Sequence, residues 1–351
     1  MASPAVEVQP MPSATEALNQ INEIVTRYCE SQMFFTACNL GIFEQLAGGP
    51  ASAAELGEWL RLHPEPCRRL LLGLTGMGLL QRDGDRFANS PVAAYLTLHA
   101  PVPMEPLCMW GSLFQRSWSC LDDAVREFGP RWQQAFGATA DEAFANLYKD
   151  PAALRRFCGL MSAYSIPQGQ VLADAFDFAP YSRVMDVAGG AGGMIIEIGR
   201  KHAHMRGIVM DLPPVCEIAD EHIAAAGLSG RFVSRSADLF AGPYPAGADV
   251  ITLGWVLHDW NDDNCRRILR NCYDALPSGG ALLIVESVLH DDHSGTPFGV
   301  LMSLHMLVLC EPGARERTQA EYRTLLEETG FRMETLVRLP APRDLLIARK
   351  P

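Results

Sequence analysis

The stretch Val184-Met-Asp-Val-Ala-Gly-Gly-Ala-Gly-Gly193 decides how this chain is read. A short apolar, β-rich run enters a glycine-rich turn, and Met194–His202 then continues with helical spacing. Glycines at such a turn let the backbone bend tightly and approach a ligand, while the helix N-terminus offers unpaired N–H groups. The same turn serves a dinucleotide pyrophosphate, so the downstream spacing has to discriminate. The second run, Gly207–Asp211, ends in Asp211, 25 residues after Asp186, where a carboxylate can accept both ribose hydroxyls. The third, Arg231–Arg235, leads to Asp238 in Ala237-Asp-Leu-Phe240, suited to an adenine amino group beside an apolar slot. An Asp after each of three successive strands favours a neutral-to-cationic nucleoside over a pyrophosphate.

Outward from this core, Asp249–Gly254 and Ala281–Glu286 are further strand-like runs. Helical stretches separate the five, among them Pro214–Ala226 and Asp262–Leu276. Alternation of this kind predicts an α/β domain over 181–351, with a mostly parallel sheet covered on both faces and right-handed connections. Met333–Leu339 and Arg343–Arg349 have the spacing of a closing pair. Upstream, 1–13 reads as a disordered tail. Residues 14–100 are helical: Leu18, Ile21, Ile24, Val25 and Tyr28 recur at helical spacing, and Gln32–Leu46 is a second helix, apolar on several sides. Ser52-Ala-Ala-Glu55 is a capping box opening a helix through Leu60, Pro64–Leu74 is another helix, and Gly78–Phe87 is a hairpin around Asp-Gly. Two short helices and a hairpin are the outline of a winged helix, which serves either DNA or dimerisation. Residues 101–180 are helical, with aromatic and Met side chains where an apolar acceptor cavity can form.

With 351 residues the chain accommodates two domains, and its 48% hydrophobic content supports a sizeable core. The net charge of −12 argues against nucleic acid. No apolar run is long enough to span a bilayer, and Met1–Pro12 lacks the pattern of a signal peptide. Ten cysteines without a C-x-x-C pair predict a reduced, cytoplasmic protein, with Cys38, Cys108, Cys158 and Cys310 as buried thiols.

Six segments together resemble the S-adenosylmethionine-dependent small-molecule O-methyltransferases: Asp186–Gly192, Asp211-Leu-Pro, Asp238-Leu-Phe, Leu257-His-Asp-Trp260, Pro277-Ser-Gly-Gly280 and Glu316-Arg-Thr318. That family includes acetylserotonin O-methyltransferase, plant caffeic acid-type enzymes and bacterial natural-product methyltransferases. The resemblance covers nearly the whole chain. It implies a Rossmann-like class I methyltransferase sheet, an N-terminal winged-helix dimerisation domain and a homodimer. It places Asp211 on the ribose, Asp238 and Leu239 at the adenine, and the 188–192 turn, with Ala188, Gly189, Gly190 and Gly192, near the methionine moiety; Asp186 and Leu212 are further candidate cofactor-binding residues. Two positions depart from the pattern: Ala188 stands for the first glycine of the turn, and Gly254 for a lysine some members carry.

His258 follows the fourth strand at the sheet edge where α/β proteins bind ligands, and an imidazole suits removal of a phenolic or enolic proton. By the resemblance, Glu286 and Glu316 flank it as catalytic partners. Trp110, Phe157, Met161, Met302, His305 and Met306 are candidate walls of the acceptor pocket. The favoured reading is methylation of a hydroxyl on a small aromatic or enolic metabolite, with His258 as general base and no metal. Some bacterial relatives instead methylate the β-carbon of α-keto acids using a divalent metal, and His258, Asp259 and His305 match their ligand positions. A third reading is a non-catalytic nucleoside- or DNA-binding regulator.

Overall fold

The computed structural model describes residues 10–351; the side chains of Met109, Trp110, Ser112 and Phe114 also lie outside the described residues. Most of the expected tail falls outside as well, while Pro10–Pro12 are exposed and irregular. The chain forms two compact units, Met1–Gly111 and Ser112–Pro351, divided within the segment 101–180.

The first unit opens with α1 (Ala14–Asn39), started by a capping box between Ser13 and Glu16. Here the expected helix at Gln32–Leu46 is corrected. Nothing in 28–36 can stop a helix, so α1 continues to Asn39, and the break falls at Gly41 before α2 (Ile42–Leu46). Strand β1 (Ala51–Ser52) leads to α3 (Ala53–Leu60), whose capping box joins Ser52 and Glu55 as read from the sequence. Helix α4 (Pro64–Gly76) follows, then the hairpin β2 (Leu80–Asp83) and β3 (Arg86–Asn89). The three strands form an antiparallel sheet in the order β1-β3-β2. Arg68 and Arg69, the basic pair on α4, both bond Glu65 at 3.1 Å. Cys38 and Cys108 are joined as a disulfide with Cα atoms 6.2 Å apart, which corrects their reading as thiols. Their separation of 70 residues hides the pairing from the sequence.

Helix α5 (Met109–Trp118) crosses the division, and α6 (Leu121–Glu127), α7 (Trp132–Phe136), α8 (Ala140–Lys149) and α9 (Pro151–Ala175) follow. Then strands and helices alternate: β4 (Arg183–Val187), α10 (Gly193–Lys201), β5 (Arg206–Asp211), α11 (Pro213–Ala225), β6 (Phe232–Ser236), β7 (Val250–Gly254), α12 (Asp262–Ala275) and β8 (Ala281–Glu286). The chain closes with α13 (Pro297–Leu309), α14 (Gln319–Glu328), β9 (Arg332–Val337) and β10 (Asp344–Arg349). The seven strands run β6-β5-β4-β7-β8-β10-β9, with β4 to β8 parallel and β10 antiparallel to both of its neighbours.

Alternation along each strand builds two cores. Met185, Ile251, Leu253, Leu282 and Ile284 pack on one face against α12 and α14. Val184, Val209, Val250, Leu283 and Val285 pack on the other with α9, α10 and α11. On α12 the buried residues Cys265, Ile268, Leu269 and Cys272 recur at the spacing of one helix face. Burying each such aliphatic side chain contributes about 1.5–3 kcal/mol. Helices α9 and α10 meet closely: a Cβ on Gly169 would sit 2.6 Å from the Met194 carbonyl oxygen, and one on Gly193 2.2 Å from Ser165 Oγ. The ends of β4, β5 and β7 and the loop after β7 open on the same sheet edge, as the parallel order requires.

Candidate active site

At the end of β4, Asp186 is buried and accepts a hydrogen bond from Thr252 Oγ1 at 2.6 Å. Burial, which outweighs that bond, raises its carboxyl pKa to about 7. The glycine-rich turn then passes through left-handed backbone at Ala188 (φ 54°), Gly190 (φ 57°) and Gly192 (φ 78°). A Cβ on Gly189 would lie 2.8 Å from Asp186 Oδ2, so the turn is shaped to bring main chain against the strand end. Asp211, ending β5, accepts from Gly190 N at 2.8 Å and from Leu212 N at 2.7 Å. Both oxygens of Asp211 are thereby oriented by main-chain donors, which fits a carboxylate set to receive a diol. Asp238 Oδ1 accepts from Phe240 N and Ala241 N, and the Leu239 carbonyl accepts from Tyr244 OH at 2.6 Å. The turn, the oriented Asp211 and the fixed 238–240 loop fit an adenosine-type cofactor.

Sequence reading missed the wall over this cradle. Ala191 packs with Leu154, Cys158, Val215 and Ile218, and Tyr148 of α8 joins them. Burial and then the Asp211 charge raise the Tyr148 hydroxyl pKa, and the same two causes push the Cys158 thiol up to about 12.

Beyond β7 the chain turns sharply. Trp255 has φ 63°, and a short 3-10 turn, Leu257–Asp259, carries His258, which is buried. Three groups hold this turn. Glu286 Oε1, at the end of β8, accepts from Val256 N and Leu257 N, each at 3.0 Å. Arg317, fully buried, donates to the carbonyls of Leu257 (2.7 Å) and Trp260 (2.6 Å). The His258 ring itself meets Glu316, with Nδ1 2.9 Å from Oε1. Nε2 faces Asp259 Oδ1 at 3.5 Å, and Cys310 Sγ donates to that same oxygen at 3.4 Å. Burial opposes a charged imidazole, but Glu286, Glu316 and Asp259 together outweigh it and raise the His258 pKa to about 9. Glu316 faces the same opposition from burial, yet His258 and Arg343 hold its carboxyl below the usual range. Burial dominates at Glu286 and pushes its carboxyl up.

Arg343 is the residue sequence reading overlooked. Fully buried, it places Nη1 3.0 Å from Glu286 Oε2 and 3.0 Å from Glu316 Oε1. The Trp255 ring lies 3.9 Å from its guanidinium carbon and Phe298 5.9 Å. The available signal was register: Asp344 pairs with Glu286 across β10 and β8, so residue 343 falls beside the end of β8.

The candidate metal trio is corrected. His258, Asp259 and His305 do not gather to share an ion; among the described residues the group close enough is His258, Glu286 and Glu316. Arg343 already places a cation against both of those carboxylates. His305 Nδ1 accepts from Trp118 Nε1 at 3.0 Å, a partner the sequence did not suggest. Burial, then the His258 charge, lowers the His305 pKa to about 3. Met302 and Met306 form a buried group with Ala314, flanked by Phe298 and Cys310. Phe157 stands edge-on to Phe144, whose neighbours are Trp132 and Tyr148. Met161 is half-buried one turn further along α9, and the Trp110 side chain lies outside the described residues.

Comparison with known proteins turns this geometry into a family. Residues 118–332 match the O-methyltransferase domain, and residues 22–98 the O-methyltransferase dimerisation domain. The chain belongs to the O-methyltransferase family. It is 36% identical over 330 residues to 3-hydroxy-5-methyl-1-naphthoate 3-O-methyltransferase of Streptomyces sahachiroi, covering 92% of each chain. To acetylserotonin O-methyltransferase of Bos taurus it is 34% identical over 344 residues, 95% of this chain and 98% of that one. Among solved structures, human N-acetylserotonin methyltransferase in complex with S-adenosylmethionine matches with a TM-score of 0.88 at 30% identity, over 97% of this chain and 99% of that one. This O-methyltransferase uses S-adenosylmethionine, acts on small molecules and carries a dimerisation domain. None of its helices, among the described residues, is long and apolar enough to cross a membrane.

Proposed function

We propose that this O-methyltransferase methylates a hydroxyl on a small, flat aromatic or enolic metabolite, with His258 as general base. The observation that carries the reading is the buried His258, its Nδ1 2.9 Å from Glu316 Oε1. A carboxylate accepts and cannot donate, so Nδ1 carries the proton and Nε2 is the basic nitrogen. Nε2 takes the proton of the acceptor hydroxyl, and Asp259, 3.5 Å away, offsets the charge that develops on the ring. Glu286 positions the base through the two main-chain N–H groups that precede it. When bound, S-adenosylmethionine supplies an electrophilic methyl group on a sulfonium. Asp211 with Leu212, and Asp238 with Leu239, would hold its ribose and adenine, and Asp186 and the 188–192 turn its amino-acid end. Met302, Met306 and the Phe157–Met161 face of α9 supply adaptable apolar walls.

The relatives named above act on hydroxynaphthoate and acetylserotonin by their names, which supports a bicyclic aromatic as the first acceptor to assay. Two copies pair through α1, whose Leu18, Ile21, Ile24, Val25 and Tyr28 are 57–65% exposed. The test is His258→Gln assayed on a panel of hydroxylated bicyclic aromatics. A loss of about 10²–10⁴-fold in kcat is expected with cofactor binding unchanged by calorimetry. Turnover at the level of the unsubstituted enzyme would remove His258 as the base.

A further inference from the structure

We propose that Arg343 is a positioning residue for the methyl transfer: by bonding Glu286 and Glu316 through one nitrogen, it keeps Glu316 ionised against Nδ1 of His258, so that Nε2 stays the basic nitrogen. This rests on the reading of His258 as base.

Nη1 lies 3.0 Å from an oxygen of each glutamate and 3.4 Å from His258 Nδ1. Two buried carboxylates beside one neutral imidazole cannot both stay charged without a cation. One of them takes a proton. Were it Glu316, its O–H would donate to Nδ1, the ring proton would move to Nε2, and the base would face the acceptor with its lone pair gone. Arg343 prevents this, because a guanidinium keeps its charge when buried. The groups that face His258 are Asp259 in its own turn, Glu286 at the end of β8, Glu316 before α14, Arg343 before β10 and His305 on α13. Among them Arg343 is the permanent cation.

The surroundings are arranged for Arg343. The Trp255 ring lies 3.9 Å from the guanidinium carbon, and Trp255 adopts a left-handed backbone that L residues rarely take. Arg343 Nε and Nη2, Glu316 Oε2 and Trp255 Nε1 are buried with no hydrogen-bond partner among the described residues. A cluster selected for stability alone would satisfy those atoms. Strain and unmet hydrogen bonds in one place mark a function.

The experiment is nitrogen NMR of ¹⁵N-histidine-labelled enzyme with S-adenosylhomocysteine added at saturation, the His258 signal being assigned by its absence in His258→Gln. Above its titration midpoint, His258 of the unsubstituted enzyme shows the Nδ1–H tautomer. Arg343→Met converts a substantial part of it to Nε2–H, whereas Arg343→Lys retains Nδ1–H. Arg343→Met/Glu286→Gln also retains it, since a lone carboxylate needs no cation to stay ionised there. An unchanged tautomer in Arg343→Met would overturn the proposal. Where Arg343→Met does not fold, loss of Nδ1–H in the double variant would overturn it. Failure of the base reading is seen separately, as turnover retained in His258→Gln while the NMR pattern holds.

Discussion

Ala188 holds a left-handed backbone, φ 54°, at the start of the glycine-rich turn. A single L residue there costs about 1–2 kcal/mol, and alanine keeps the penalty at the low end because its side chain is one methyl. Ala188→Gly should therefore leave cofactor affinity within about twofold, whereas β-branched Ala188→Val should weaken it more than about tenfold. Calorimetry with S-adenosylmethionine reads both. His258 carries a second expectation. Its pKa of about 9 leaves the ring protonated at neutral pH, so the basic form becomes more abundant as pH rises. With a phenol that ionises above that value, kcat/KM should climb about tenfold per pH unit between 6.5 and 8.5 and level off near 9. A profile already flat at pH 7 would contradict the charge environment drawn from Glu286, Glu316 and Asp259. Arg343 acts against this pull, its charge working to lower the His258 pKa that the carboxylates raise.

At the scale of elements, α9 and α10 carry the cradle, and their separation is set by residues without side chains. Gly169→Ala would put a Cβ 2.6 Å from the Met194 carbonyl oxygen and 2.7 Å from Met194 Cα, main-chain atoms that cannot step aside. The expected cost is about 1–3 kcal/mol, read as a lower urea midpoint at unchanged slope. Elements of this domain were legible because apolar runs of four to six residues separated by amphipathic helices leave few alternatives, and β4 to β8 start and stop within one residue of the sequence reading. Long-range pairings were not legible. Arg343 meets partners 57 and 27 residues away, and Trp118 reaches His305 across 187. Periodicity carries no information at those distances. His305 looked like a metal ligand because its hydrogen-bond partner lies in a helix with no motif of its own. Cys38 and Cys108 looked like separate thiols for the same reason. The extent of α1 was misjudged on local grounds: an apolar surplus in 32–46 suggested a new helix, while the one strong breaker was Gly41.

For the molecule as a whole, α1 presents an exposed apolar stripe, and Ile24, Val25 and Tyr28 of it lie within the dimerisation domain. Ile21→Glu with Ile24→Glu should turn a dimer into a monomer in sedimentation velocity. The cofactor cradle, built wholly from the second unit, should still bind S-adenosylmethionine. The other whole-molecule feature is the insertion of β10 between β8 and β9, with Asp344 against Glu286. It separates the two halves of the site in time. The glycine-rich turn and the carboxylate that braces it come from neighbouring stretches, 186–192 and 211–212, joined by the Gly190–Asp211 bond across 21 residues, a loop that closes at small entropic cost. The proton-accepting cluster must wait for a strand that starts 58 residues beyond the one it joins, so its closure comes late. A refolding chain thus acquires the ability to hold its cofactor before the ability to use it, and methyl transfer should lag behind cofactor binding when both are followed from the same denatured sample.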